Sequence, residues 1–433
     1  MIYPTYIENN HDFPVFYRVR MNYPSHKISD VGEAVHKAVH GILDKTPINA
    51  GDNVAVCVGS RGISGLSVMV KHLCDALKEI GAHLFIIPAM GSHGGATAMG
   101  QEKVLESLSV TETVCGAPVI SSMDVEKIGE VLDGVPVYFP RDCLKMDHVV
   151  CINRIKPHTK FKGPVESGIY KMLGIGMGKH QGAVALHQAA LRHGFSPVIK
   201  HTGDMVIQMS NFRFALAVVE DHYDDVMDIR AILAKDVFEQ EKNLLETAKA
   251  HFPTLPFANL DVLVIGQIGK EISGSGMDPN VTGRACDLME DDFSENLAVT
   301  RIVILDLSEK TDGNGIGLGN ADIITEQAFR KLDYEKTLIN ALTSTSLRKA
   351  FIPVRLPDDR RAINAAVATS GKNGNHDIRI VLIKDTRNVS EFWASASLLD
   401  EIRHVSGAEI MEHVNLSFNS SGELDLFNPV SSL

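Results

Sequence analysis

Three times between residues 50 and 190 a short apolar run stops abruptly at a polar, glycine-rich segment. VAVCV (54–58) gives way to GSRGISG (59–65), and HLFIIP (83–88) to MGSHGGAT (90–97). HVVCIN (148–153) gives way to a long stretch that ends near residue 187. Continuous apolar runs of this length, without polar alternation, suit strands covered on both faces, which is the habit of parallel sheets. The residues between the first two runs, 66–79, have helical spacing, so the pattern predicts a strand–helix–strand crossover. A helix over 29–45 precedes it, with Asp30 and Glu33 placed as a capping box. In open parallel sheets ligands gather where the strands end, and all three glycine-rich segments sit there.

The rest of the chain repeats the theme. A buried strand is expected at 214–220, with helices at 181–193 and 235–250. Prolines in HFPTLP (251–256) mark a boundary. Strands at 260–266, 301–307 and 378–383 follow, with helices at 322–332 and 360–368. The fold class is therefore α/β, a two-domain protein with parallel, Rossmann-like sheets and an interdomain active-site cleft. An N-terminal catalytic domain should occupy 1–255 and a C-terminal substrate-closing domain 256–433, whose last segment could pack back on the first. At 433 residues the chain can bury a core without disulfides.

Composition removes several function classes. The formal charge is −12 and no basic run resembles a nucleic-acid footprint. No run of about 18 apolar residues is present, and the start lacks the features of a signal peptide, so a cytoplasmic protein without membrane contact is expected. The six cysteines form no C-x-x-C pair, which fits a reducing compartment. H-E-x-x-H, G-x-S-x-G and G-x-x-x-x-G-K-[ST] motifs are missing. GIGMGK (174–179) has dinucleotide-loop glycines but does not follow a strand.

The chemistry-bearing residues lie in the three strand-end segments. Arg61 is a candidate anion contact or a plain turn arginine. His93, between glycines, can exchange protons near neutral pH, although many of the chain's 18 histidines will be inert. Residues 153–187 hold His158, Lys171, His180 and His187 among Lys156, Lys160, Lys162 and Lys179. So many cations in an acidic protein call for an anionic ligand.

GSHGG around His93, IKPH around His158, SGIYK ending at Lys171, and His187 together resemble the lactate racemase family. Ser167 to Lys171 is four residues and Lys171 to His187 is sixteen, as in that family. The resemblance implies a nickel-pincer nucleotide joined covalently to Lys171, with Ser167 and Lys179 beside it and His187 as the nickel ligand; His180 is the fallback. It implies a racemase or epimerase acting at C2 of a 2-hydroxy acid, lactate-like or a sugar acid. Removing the Cα hydrogen as hydride avoids a carbanion. The hydroxyl lies on different sides in the two enantiomers, so two bases are required, and His93 and His158 fill those roles.

Only the arginine of the family's strand-end segment has a counterpart, at Arg61, and the His158–Lys171 spacing is longer than usual. Lys270 and Arg284 are the candidates for a second carboxylate-binding cation. The loops 272–284 and 312–322, rich in Gly, Asn and Asp, are the ligand-facing candidates of the second domain. Expected partners are a small 2-hydroxy acid and cofactor-biosynthesis proteins, and the sequence leaves room for a homo-oligomer. Two alternatives stay open: a non-catalytic or cofactor-handling homologue, and a zinc hydrolase built from His93, His158 and His187.

Overall fold

Strand β2 (Asn53–Val58) explains why a continuous apolar run is needed here. Val54, Val56 and Val58 pack into one hydrophobic cluster, while Ala55 and Cys57 pack into another on the opposite face. Side chains alternate across a strand, so a strand covered on both faces must be apolar throughout. Burying each such valine contributes roughly 1.5–3 kcal/mol. This arrangement is seen in a computed structural model of the chain, which describes residues 4, 13–60, 62–287, 291–372 and 377–427.

The chain divides into two units, one formed by Ser25–Phe252 and the other by Met1–Pro24 with Pro253–Leu433. Strand β1 (Phe16–Met21) belongs to the latter. The former begins with helix α1 (Val31–Leu43), where the Asp30 side chain accepts the Glu33 amide at 2.9 Å, the Asp30 half of the expected box. After β2 come helix α2 (Leu66–Glu79), strand β3 (His83–Pro88) and helix α3 (Ala98–Ser107). A hairpin of β4 (Val125–Val131) and β5 (Val135–Pro140) leads to strand β6 (His148–Arg154). Helices α4 (Lys179–His193) and α5 (Phe195–Met209) follow. Strands β7 (Phe212–Glu220) and β8 (Val226–Leu233) and helix α6 (Val237–Ala250) complete the unit.

Its five-stranded sheet has the order β3-β2-β6-β7-β8. The first four strands run parallel and β8 is antiparallel. The chain moves from β2 outward to β3, then returns to the other side of β2 for β6. Such a reversal opens a crevice beyond the carboxyl ends of the strands, and ligands bind there in this class of sheet.

The other unit holds an eight-stranded sheet, β12-β11-β10-β9-β13-β14-β1-β15. Strands β9 (Asn259–Ile268), β10 (Ala298–Leu307), β11 (Ile323–Thr325), β12 (Val354–Leu356) and β13 (Ile380–Ile383) are parallel. Strands β14 (Glu391–Ser395), β1 and β15 (Ala408–Val414) extend it antiparallel. Helices α7 (Glu326–Lys331), α8 (Tyr334–Thr343) and α9 (Asp359–Ala368) lie between these strands in sequence.

Two expectations are corrected. The sequence reading puts the N-terminal segment in a 1–255 domain, but β1 is held by backbone pairing with β14 and β15. The last segment, which could pack back on residues 1–255, does meet them at β1, where β15 pairs with β1 in the sheet of the Pro253–Leu433 unit. The helix expected over 322–332 begins as strand β11, because the β-branched pair Ile323–Ile324 pairs with Val303–Ile304. No helix among the described residues is long and apolar enough to cross a membrane.

Candidate active site

Beyond the carboxyl ends of β3 and β6 lies a cavity of about 120 Å³. Met90, Ser92 and His93 reach it from the segment after β3. His158 and Phe161 reach it from the segment after β6. Lys171, Ile175, Ala183, His187 and Phe195 complete the lining among the described residues, and none of these carries a carboxylate. His93, His158, Lys171 and His187 thus share one cavity. Arg61 lies outside the described residues.

Lys171 and His187 could not both face the cavity from one regular helix. Sixteen residues at 3.6 per turn place two side chains roughly 160° apart. The chain solves this by interrupting the helix. A short turn, Ile169–Lys171, runs into π-helical Met172–Gly176, where the Met177 amide bonds the Met172 carbonyl at 2.8 Å. Lys179 then adopts φ +53° at the start of α4. A π-turn inside a helix is a common device at functional sites, since it shifts the phase of everything downstream.

Two glycines of this interruption, Gly176 and Gly178, sit close against backbone. Gly176 accepts the Gly91 amide at 3.0 Å, and a Cβ on Gly176 would stand 2.6 Å from the Ala89 carbonyl oxygen. The π-turn and the His93 segment are therefore pressed backbone to backbone. The Gly168 position is equally constrained, because a Cβ there would collide with Oε1 of Glu241.

Each histidine has a distinct setting. His93 is exposed, and its Nδ1 hydrogen-bonds the Ser60 hydroxyl at the end of β2. His158 stacks on Phe161 at 4.3 Å between centroids, and its backbone amide donates to Glu166 at 2.7 Å. Glu166 is buried, also accepts the Gly163 amide at 3.3 Å, and pairs with Lys249 at 3.1 Å. His187 meets Phe195 edge-on at 5.6 Å. Its Nδ1 is buried without a hydrogen-bond partner. Burial first, then Lys160 and Lys171 nearby, lower its pKa to about 4. His187 is therefore a neutral imidazole at neutral pH, the form that ligates metals. The ring contact with Phe195, not a hydrogen bond to Nδ1, orients this imidazole.

His158 and Lys171 are hydrogen-bonded to one another. Nδ1 of His158 accepts the Lys160 amide at 3.1 Å, which leaves Nε2 as the ring atom that meets Lys171 Nζ, at 2.8 Å. A lysine amine is a nucleophile once it has lost its proton.

The remaining candidates are placed differently. Lys179 was assigned to cofactor contact, but its amine is buried, donating to the Pro88 carbonyl at 2.5 Å and to Gln101 at 3.0 Å. Gln101 in turn donates to the Gly91 carbonyl at 2.8 Å. Lys179 thus braces the His93 segment from beneath. Ser167 exchanges backbone hydrogen bonds with Lys156 beside β6 and is not among the cavity-lining residues. His180 is exposed at the start of α4. In the other unit, Arg284 pairs with Asp322 at 2.5 Å and donates to the Val299 carbonyl, so its fork is already used structurally. Lys270 donates to Gly274 and Asn340, both at 3.2 Å. The loops carrying them are largely buried and hydrogen-bonded, with Asp278 capping the turn Pro279–Thr282.

The nitrogens of His93, His158 and His187 do not gather as a three-ligand metal cluster among the described residues, which disfavours the zinc-hydrolase alternative. Sequence reasoning missed Ser60, Glu166 and Gln101. Their only signal was adjacency to the three strand-end segments.

Residues 7–196 match the family described as lactate racemase N-terminal domain. No curated protein matches the chain. Among solved structures, the lactate racemase apoprotein from Thermoanaerobacterium thermosaccharolyticum is similar at 13% identity with a TM-score of 0.48, covering 86% of this chain and 89% of that one. The family match spans His93, His158, Lys171 and His187, so the residues that share the cavity lie within the stretch that is similar to the lactate racemase N-terminal domain.

Proposed function

We propose that this chain inverts C2 of a 2-hydroxy acid, lactate-like or a sugar acid, with a nickel-pincer nucleotide joined to Lys171. The supporting observation is the convergence of Lys171, His187, His93 and His158 on one cavity that no carboxylate among the described residues lines. The residues present fit the cofactor: Lys171 brings an amine to the cavity for attachment, and His187 offers a neutral imidazole with an unpartnered buried nitrogen. When bound, such a cofactor supplies a hydride acceptor for the substrate Cα.

The protein's own residues do the rest. His93, oriented by Ser60, and His158, oriented by Phe161 and the Lys160 amide, each exchange the hydroxyl proton of one enantiomer. Covalent use of the Lys171 amine would free His158 Nε2 from its present contact and leave it to the substrate. Arg61, next in sequence after Ser60, is the cation proposed for the substrate carboxylate.

The test is peptide mass analysis of enzyme purified from a host that makes the cofactor, with chiral analysis of a panel of 2-hydroxy acids. A mass adduct on the Lys171 peptide and inversion of at least one acid are expected. Active enzyme with an unmodified Lys171 peptide would overturn the reading.

A further inference from the structure

A second group of metal-ligating side chains lies away from the cavity, on the outer surface of the helix pair α1 and α2. His36 and His40 stand one turn apart on α1, with stacked rings 5.8 Å between centroids. Glu79, the last residue of α2, faces both. Its Oε2 lies 3.0 Å from His40 Nε2 and its Oε1 3.9 Å from His36 Nδ1. The three ligand atoms of this set lie within 4.8 Å of one another.

The framework under the group is rigid. Val35 and Val39 bury the adjoining face of α1, and α2 buries seven of its residues. His72 packs edge-on against His36 at 5.2 Å, and its ring fills the space over Gly32, where a Cβ would come within 2.5 Å of it. The Nδ1 of His72 is buried without a hydrogen-bond partner. His36 is thus held between a neighbour on its own helix and a ring behind it, while His40 and Glu79 stay open to solvent, 45% and 55% exposed.

We propose that His36, His40 and Glu79 bind one divalent transition-metal ion of the zinc or nickel class, clamping α1 to α2. Two imidazoles and a carboxylate select such ions over calcium or magnesium, which prefer all-oxygen ligands. Zinc bonds of about 2.0–2.1 Å place tetrahedral ligand atoms about 3.4 Å apart, so only small rotamer adjustments are required. The second set, His36, His72 and Asp75, shares His36, but Asp75 is already paired with Lys71. It is a weaker competitor for the same ion. The site is independent of the catalytic reading, since none of its residues lines the cavity.

The untagged full chain, stripped of metal by dialysis, is titrated with zinc against a chromophoric chelator, and its thermal midpoint is read with and without zinc. The wild type and His187→Ala should each retain one zinc equivalent that raises the midpoint. His36→Gln combined with His40→Gln should lose that equivalent and the shift. Glu79→Gln, a milder change at an exposed position, should weaken zinc binding measurably. Calcium should give no shift in any of them. Loss of the equivalent in His187→Ala alone, its persistence in the double variant, unaltered affinity in Glu79→Gln, or an equal response to calcium would each overturn the assignment.

Discussion

The amine of Lys171 lies 2.8 Å from Nε2 of His158, thirteen positions earlier in the chain. Nδ1 of the same ring accepts the Lys160 amide, so Nε2 is the ring atom left to meet the amine. The reactivity of Lys171 should therefore depend on the His158 ring, whereas that of exposed Lys37 and Lys103 should not. Peptide mass analysis of the cofactor-free chain after brief labelling with a succinimidyl ester at neutral pH measures this. His158→Phe should alter the labelling rate of Lys171 selectively. An unaltered Lys171 rate would sink the argument.

His93 and His158 come from different strand ends and have different partners, Ser60 for one and Phe161 with Lys160 for the other. Each should serve one enantiomer. In loaded enzyme, His93→Ala and His158→Ala should both lose net inversion, by about a hundredfold to ten-thousandfold. In a single turnover, each should still oxidise the enantiomer whose base survives. Pure enantiomers followed by chiral analysis decide the matter, and identical preferences in the two variants would remove the paired-base model.

Lys179 is a brace whose loss should be felt without any cofactor. Lys179→Met leaves the Pro88 carbonyl and Gln101 without their donor. Unfolding of the cofactor-free chain should be easier by about 1–3 kcal/mol. Denaturant midpoints of wild type and variant give the answer. Equal midpoints, with a defect confined to cofactor loading, would restore the direct-contact role that the sequence suggested.

Glu241 makes stability fall as pH rises. Its carboxyl is fully buried on α6, accepts the Ile169 and Tyr170 amides that open the Lys171 turn, and leaves Oε1 unpartnered. Burial pushes its pKa up to about 8, against about 4.3 for an unfolded glutamate. The protonated form therefore favours the fold. That contribution is complete below about pH 4.3 and is lost as pH rises through 8. Glu241→Gln should flatten this part of the stability profile and raise stability at pH 8 relative to wild type. An unchanged slope between pH 5 and 8 would count against it.

Much of this site was legible because its residues follow buried strands. VAVCV, HLFIIP and HVVCIN announce β2, β3 and β6 by composition alone, and the residues after them line or support the cavity. What could not be read is whatever depends on helix phase or long-range contact. The π-turn at Met172–Gly176 has no periodic signature, so the reason Lys171 and His187 can share a cavity was hidden. Lys179 reads as a cofactor contact only through the family resemblance. Its partner Gln101 is 78 residues away, and only the fold reveals that the amine is already satisfied. Strand β1 was missed because FYRVRM alternates weakly, with two arginines on an otherwise apolar run.

The placement of β1 has a consequence for the order of assembly during synthesis. Its partners β14 and β15 begin at Glu391 and Ala408, so the strand emerges from the ribosome long before either exists. At ordinary elongation rates of about 5–20 residues per second, that wait is on the order of 20–75 s. Ser25–Phe252, by contrast, holds all five strands of its own sheet and can close first. Nascent β1 must therefore spend that interval as an unpaired edge. The charges of Arg18 and Arg20, which later pair with Glu391 and Glu412, protect it from pairing with another chain in the meantime.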